Sequence, residues 1–166
     1  MTYLTVPLQG THKKQAFDCG KPSLNHYLHT QAKQDVKKMV SACFVMTDAE
    51  DNIKGYYTLS NASIPREFLP ERLRKQMPPS YKDLPATLLG RLAVALAYKG
   101  QGLGKQLLVD ALRRAYETSQ SIGSMAVVVD PLDAEAVQFY VKYGFILLPD
   151  SGKMFLAMGT VGDLFR

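Results

Sequence analysis

Between Leu88 and Ala115 the spacing of apolar residues switches from strand to helix across one short loop. Leu88, Leu89, Leu92 and Val94 make the apolar run of a buried strand. Leu103, Leu107, Leu108, Ala111, Leu112 and Ala115 then recur at i, i+4, i+5, i+8, i+9 and i+12, which is one face of a helix. The remaining elements arrange themselves around this segment. Tyr3, Leu4 and Val6 predict a first strand over residues 3–8. Ser23 offers an N-cap to a helix whose apolar face runs Leu24, Tyr27, Leu28 and Ala32, with Val36 and Met39 farther along. Its other face carries Gln31, Lys33, Gln34, Lys37 and Lys38. Residues 42–47 and 53–60 read as an antiparallel hairpin around a turn at Asp48–Asn52.

Residues 64–81 break the pattern. Pro65, Pro70, Pro78 and Pro79 stand there among Arg66, Arg72, Arg74 and Lys75, with room for a short helix over residues 67–76. Such an insertion between core strands is a natural place for substrate recognition, because specificity usually rides on loops over a rigid scaffold. Residues 124–130 form a β-branched core strand. Residues 133–143 form a helix with acidic residues in its first turn, ended by Gly144. Residues 145–148 and 154–158 are the last two strands. The order β-α-β-β-insert-β-α-β-α-β-β predicts an α/β fold with one sheet, and no composition shift divides residues 1–166 into more than one domain.

The loop between the central strand and helix carries the first chemical signal. Lys99-Gly100-Gln101-Gly102-Leu103-Gly104 removes Cβ atoms at three alternate positions. A loop that frees backbone N–H groups at a helix N-terminus cradles an anion, since the donors and the helix dipole point the same way. The spacing is not the G-x-G-x-x-G of a dinucleotide fold. A Walker loop fails as well, because Gly104-Lys105 is followed by Gln106. Without its context the segment also reads as a plain strand-to-helix turn.

Composition adds limits. The chain is 46% hydrophobic and 21% charged, an ordinary globular balance, and no apolar run reaches the roughly 20 residues of a membrane span. The N-terminal stretch lacks the charged and apolar regions of a signal peptide, so the cytoplasm is the expected compartment. Cys19 and Cys43 have no metal-ligand spacing and read as buried thiols. His12, His26 and His29 share no ligand pattern, so no metal is expected. The net charge of +5 is spread over clusters at Lys13 and Lys14; Lys33, Lys37 and Lys38; Arg66, Arg72, Arg74 and Lys75; and Arg113 and Arg114. Each alone reads as a solvated face. Together they are compatible with an RNA-binding surface.

Three features agree on a family. Residues 99–104 resemble the Arg/Gln-x-x-Gly-x-Gly/Ala pyrophosphate loop of the GNAT N-acetyltransferases, with Lys99 as the departure. The preceding LAV (Leu92–Val94) and the FYVKYGF of Phe139–Phe145 resemble the same family. That resemblance covers essentially the whole chain and implies a single mixed, mostly antiparallel sheet flanked by helices. It implies that Leu92, Ala93 and Val94 meet the acetyl and pantetheine portion of acetyl-CoA. It places the pyrophosphate on Lys99, Gly100, Gln101, Gly102, Leu103, Gly104 and Lys105, and Tyr140 near the sulfur as proton donor. A narrower resemblance, in FDCGKPSLNHYL (residues 17–28), GYYTLS (55–60), LLGRLAV (88–94) and AVQFY (136–140), is to the acetyltransferase toxins of bacterial toxin–antitoxin pairs. It implies aminoacyl-tRNA as acceptor, a block of translation, a ribbon-helix-helix antitoxin as partner and a homodimer.

Acyl transfer to an amine requires a neutral nucleophile and a proton for the departing thiolate. Many GNAT relatives place a Glu on the fourth strand as base, and residues 86–95 hold no acid. At pH 7.4 a lysine amine, pKa about 10.4, is only ~0.1% neutral, whereas an α-amine, pKa about 7.7–8.0, is roughly a quarter neutral. The omission therefore favours an α-amino acceptor, unless Asp130, Glu135 or a histidine supplies the base. Arg91 points opposite Leu92 on a regular strand, and either faces the substrate or holds a carboxylate on the far side. Lys33, Lys37 and Lys38 are the candidates for RNA contact. Acetylation of a small amine or a protein, and acetyl-CoA binding without turnover, remain the competing readings.

Overall fold

The computed structural model describes residues 2–166. Its strands are β1 (Val6–Pro7), β2 (Ala42–Thr47), β3 (Ile53–Pro65), β4 (Asp83–Val94), β5 (Ala126–Val129), β6 (Ile146–Leu147) and β7 (Met154–Ala157). They form one seven-stranded sheet in the order β1-β2-β3-β4-β5-β7-β6. The pairs β1–β2, β2–β3, β5–β7 and β6–β7 are antiparallel, and β4 runs parallel to β5. Helix α1 (Pro22–His26) continues through a wider π-type turn, Tyr27–Gln31, into α2 (Ala32–Lys37). The others are α3 (Glu71–Gln76), α4 (Leu103–Ser119), α5 (Ala134–Lys142) and α6 (Met158–Asp163). Two compact units share these elements. The first runs to Ser60 and takes in Gly90–Leu112, and the second comprises Asn61–Leu89 and Arg113–Arg166.

In the first unit β3 is buried on both faces. Tyr56 joins Phe17, Cys19, Tyr27, Leu28 and Val45 in one apolar cluster. Its hydroxyl donates to the Leu24 carbonyl at 2.7 Å, which satisfies a polar atom that the cluster would otherwise strand. One residue on, Tyr57 points to the opposite face. There its hydroxyl donates to Asp110 of α4 at 2.8 Å. Asp110 is 5% exposed and also accepts the Leu4 amide, at 2.7 Å, and the Thr5 hydroxyl. Three donors make so deep a carboxylate tolerable.

Gly55 shares the Tyr57 face and sets how closely α4 can lie. A Cβ at Gly55 would stand 2.7 Å from Leu107 Cδ1 and 2.9 Å from the Ala93 carbonyl oxygen. All six residues of the predicted α4 face, from Leu103 to Ala115, are buried. The second unit has its own cluster, in which Ile64, Leu69, Leu84, Ala86, Ala126, Val128, Leu148 and Phe155 meet. Every residue of β5 is buried, as the β-branched run required.

The differences from expectation have local causes. The first strand is two residues long: the Leu4 amide is taken by Asp110, and the register with β2 covers Val6 and Pro7. The helix begins at Pro22 with Lys21 as N-cap, and the Ser23 side chain makes no cap bond. Proline sits well in the first helical turn, where its missing N–H costs nothing. Met39 lies beyond α2 at a φ of +60° and is 92% exposed, so it leaves the apolar face assigned to it. Strand β3 runs on to Pro65, and the insertion's short helix splits into a 3-10 turn, Arg66–Phe68, and α3. Helix α6 had no sequence signal because Gly159 and Gly162 lower helix propensity. It forms against Tyr116, whose ring is so close that a Cβ at Gly162 would stand 2.7 Å from Cε1.

Gly55→Ala is expected to cost about 1–3 kcal/mol, because one of the atoms it meets is backbone and cannot swing aside. Urea unfolding measures this, and an unchanged midpoint would show that α4 has room to retreat.

Candidate functional site

The site residues named from sequence begin where β4 leaves the β5 ladder. The registered pairs with β5 are Thr87, Leu88 and Leu89 and stop there, so the end of β4 keeps one backbone edge outside that ladder. Leu92 and Val94 are half-buried and Ala93 is buried between them in the alternation. The chain beyond is pinned. The Ala95 amide donates to the Lys54 carbonyl and the Leu96 amide to the Asp18 carbonyl, both at 2.8 Å. Asp18 in turn sits in a self-locked turn. Its side chain accepts from the Gly20 amide and the Asn25 amide group, each at 2.9 Å. These bonds, the Gly20 one foremost, hold its carboxyl below the usual carboxylate range.

A 3-10 turn at Leu96–Tyr98 then delivers the glycine loop. Gly100 and Gly102 have φ of +80° and +78°, the left-handed region that side chains avoid, and a Cβ at either would meet open space. Backbone conformation, not crowding, is what requires glycine here. Lys99 donates to the Leu96 carbonyl, and Gln106 closes the first turn of α4 on the Gly102 carbonyl. Between them the amides of Gly100, Gln101, Gly102, Leu103, Gly104 and Lys105 donate to no carbonyl among the described residues. Consecutive unpaired donors at the N-terminus of a 17-residue helix fit a diphosphate, both by hydrogen bonding and by the helix dipole.

Tyr140 lies in the second unit, on the buried side of α5, whose N-cap Asp133 accepts the Ala136 amide at 2.9 Å. Its ring packs edge-on against Phe139 at 5.3 Å and tilted against Phe145 at 5.1 Å. The residue is 7% exposed, and its hydroxyl has no hydrogen-bond partner among the described residues. Burial pushes the phenol well above its ordinary pKa of 10, so it is fully protonated at physiological pH. A neutral, unengaged O–H is a donor in waiting.

The basic candidates separate. Lys33 and Lys37 stand exposed on α2, and Lys38 is exposed just past its end. Lys33 also lines a small cavity of about 110 Å³ with His12 and Lys14. Arg91 takes neither orientation proposed for it alone. Its guanidinium carbon lies 3.5 Å above the Tyr27 ring, and the Tyr27 hydroxyl donates to Asp35 at 2.8 Å. Burial and that carboxylate push Tyr27 up to about 12. Among the described residues Arg91 therefore reaches a carboxylate only through the ring. Of the alternative bases, Asp130 is largely exposed and paired with Lys153 at 3.5 Å, and the His29 ring is held at the Phe17 carbonyl. Among the described residues no group of three His, Cys, Asp or Glu could hold a metal ion, and no helix is long and apolar enough to cross a membrane.

Sequence reasoning missed one residue of consequence. Arg66, counted there among the cations of the insertion, turns its guanidinium inward onto four backbone carbonyls. The signal was the proline content around it, which leaves the insertion short of N–H donors.

Residues 40–147 match the acetyltransferase (GNAT) domain. A relative from Mycobacterium tuberculosis described as a tRNA-acetylating toxin is 38% identical over 134 residues, 81% of this chain and 78% of its own length. Among solved structures, AtaT complexed with acetyl-methionyl-tRNAfMet matches with a TM-score of 0.88 at 28% identity, over 98% of each chain. AtaTR bound with AcCoA matches with a TM-score of 0.85 at 28% identity, over 98% of this chain and 97% of its own.

The loop reading has a direct check. Gly102→Ala forces a Cβ into the left-handed region at a cost of about 1–2 kcal/mol, and is expected to weaken coenzyme A binding roughly 5- to 30-fold by calorimetry. Unchanged affinity would remove the loop from the anion site.

Proposed function

The chain belongs to the acetyltransferase (GNAT) family, and we propose that it transfers the acetyl group of acetyl-CoA to the α-amino group of an aminoacyl-tRNA, acting as a toxin that blocks translation. Support for the donor comes from the loop amides and from the AcCoA-bound neighbour. Support for the acceptor comes from the tRNA-acetylating relative, from AtaT with its acetylated tRNA, and from one observation that carries the argument in this chain. The end of β4, residues 86–94, holds no carboxylate. An acceptor that is already partly neutral at physiological pH is the one such a site can use.

When bound, acetyl-CoA supplies a thioester whose carbonyl carbon is attacked by the amine. The amides of Gly100–Lys105 hold the diphosphate. The free backbone edge of Leu92–Val94 offers N–H groups to the acyl oxygen as it gains charge. Tyr140 holds the proton that the departing thiolate takes, and the amine's surplus proton restores it. Lys33, Lys37 and Lys38 present positive charge to the RNA backbone. Residues 1–166 make one catalytic domain in the cytoplasm, with a ribbon-helix-helix antitoxin as the partner that restrains it and a homodimer as the assembly that the toxin resemblance implies.

The deciding experiment follows label from acetyl-CoA into charged tRNA, uncharged tRNA, polyamines and lysine peptides. Label on charged tRNA alone is expected. Label on a small amine or peptide with charged tRNA untouched would leave the family standing and sink the acceptor.

Tyr140→Phe is expected to leave acetyl-CoA affinity unchanged while lowering kcat about 10²- to 10⁴-fold. In the wild type, activity is expected to rise with pH through the α-amine pKa of about 7.7–8.0 and then hold to pH 10, because burial raises the Tyr140 pKa and its proton stays on. A fall between pH 8 and 10, or unaltered turnover in the variant, would take Tyr140 out of the mechanism.

A further inference from the structure

The insertion between β3 and β4 has a physical problem that one side chain solves. Pro70, Pro78 and Pro79 contribute no N–H, and where α3 stops at Gln76 the Met77 amide answers only the Arg74 carbonyl, at 3.2 Å. Arg66 stands at the start of this segment. Its Nη1 donates to the carbonyls of Pro78, at 2.7 Å, and Tyr81, at 3.0 Å. Its Nη2 donates to those of Arg74 and Met77, each at 3.1 Å. The Arg66 amide closes the base of the segment on the Lys82 carbonyl at 2.8 Å. A planar fork with five donors can serve four acceptors at once, which an ammonium cannot.

With Arg66 engaged, the insertion shows other cations outward. Arg72 and Lys75 lie three residues apart on one exposed face of α3. Lys75 pairs with Glu71 at 3.1 Å, while Arg72 has no partner among the described residues. The groove beside Arg66, about 500 Å³, is lined by Glu67 and Asp83 as well as Arg74 and Lys82, a mixed wall that a polyanion gains little from entering.

We propose that Arg66 is a positioning residue, which fastens the insertion as a preformed arm and so presents Arg72 to the acceptor RNA without touching the RNA itself. This rests on the tRNA reading above. A fastened arm spares the ordering cost that a mobile one would meet on binding, so its benefit falls on acceptor affinity and not on the acyl-transfer step.

The test uses Arg66→Lys, which keeps the charge and loses the fork, beside Arg72→Gln. In Arg66→Lys, hydrogen exchange at the Arg66, Arg74 and Met77 amides is expected to quicken. The KM for charged tRNA is expected to rise about tenfold, with kcat and the KM for acetyl-CoA unchanged. Arg72→Gln is expected to raise the same KM with exchange unaltered. Unchanged exchange in Arg66→Lys would overturn the clamp. A normal KM in either variant would overturn the arm's role in substrate binding while leaving the tRNA reading intact. If Arg66→Lys does not fold, the Arg72→Gln result decides the arm. Failure of the wild type to acetylate charged tRNA would overturn the proposed acceptor and this substrate role with it, and exchange would then decide the clamp alone.

Discussion

Six consecutive amides, those of Gly100–Lys105, donate to no carbonyl among the described residues, and much of the first unit is arranged to keep them so. Left to itself a loop of this kind would curl until its donors found carbonyls, because unmet hydrogen-bonding groups are costly wherever water is scarce. Here the loop is held open from both sides. On entry, the Ala95 and Leu96 amides are tied to Lys54 and Asp18. On exit, α4 is seated by Leu107 over the bare backbone of Gly55 and by Asp110, which collects Leu4, Thr5 and Tyr57. Donors fixed before the ligand arrives add little ordering cost when it binds. Gly55 and Asp110 thus serve the proposed anion site without lying in it.

The proton inventory of the site tells a consistent story. Making a lysine amine neutral at pH 7.4 costs about 4 kcal/mol, and doing the same for an α-amine costs under about 1 kcal/mol. A site without a desolvated carboxylate can meet the second cost and not the first. Asp130 is exposed and paired with Lys153, so it does not fill the gap. In the proposed mechanism Tyr140 is the complementary half. Packed among Phe139 and Phe145, it cannot ionise near neutrality, and a group that cannot ionise there is a donor and not a base. Both features suit the proposed chemistry, in which the amine brings its own neutrality and the protein brings only the acid.

What could be read from sequence was what short-range periodicity determines. The β2–β3 hairpin, the β4 run and the α4 face were legible because each repeats its signal over six or more residues. The glycine loop was legible because φ above zero leaves a compositional mark. The illegible parts depend on partners far along the chain. Leu4 is drawn out of β1 by Asp110, on a helix that no local window contains. Helix α6 exists because Tyr116 fills the space over Gly162, against its own propensity. Arg91 finds a ring where alternation could give only a direction, and Arg66 finds carbonyls where composition gave only a charge.

That last distinction bears on how a basic chain is read. A net charge of +5 invites an RNA partner, yet charge counts for a polyanion only where it faces outward and is not already engaged. Arg66 is used inside the insertion and Arg91 on Tyr27, while Lys75, Lys153 and Arg166 are paired with Glu71, Asp130 and Asp163. Lys33, Lys37, Lys38 and Arg72 are exposed cations in no such pairing among the described residues. Arginine's fork suits it to backbone carbonyls and aromatic faces as well as to phosphates, so arginines are the cations most often diverted inward. Lysines on a helix face, strongly hydrated and long-stemmed, stay at the surface. The residues that make the composition basic and the residues that can hold RNA are therefore overlapping sets, and the fold decides the overlap.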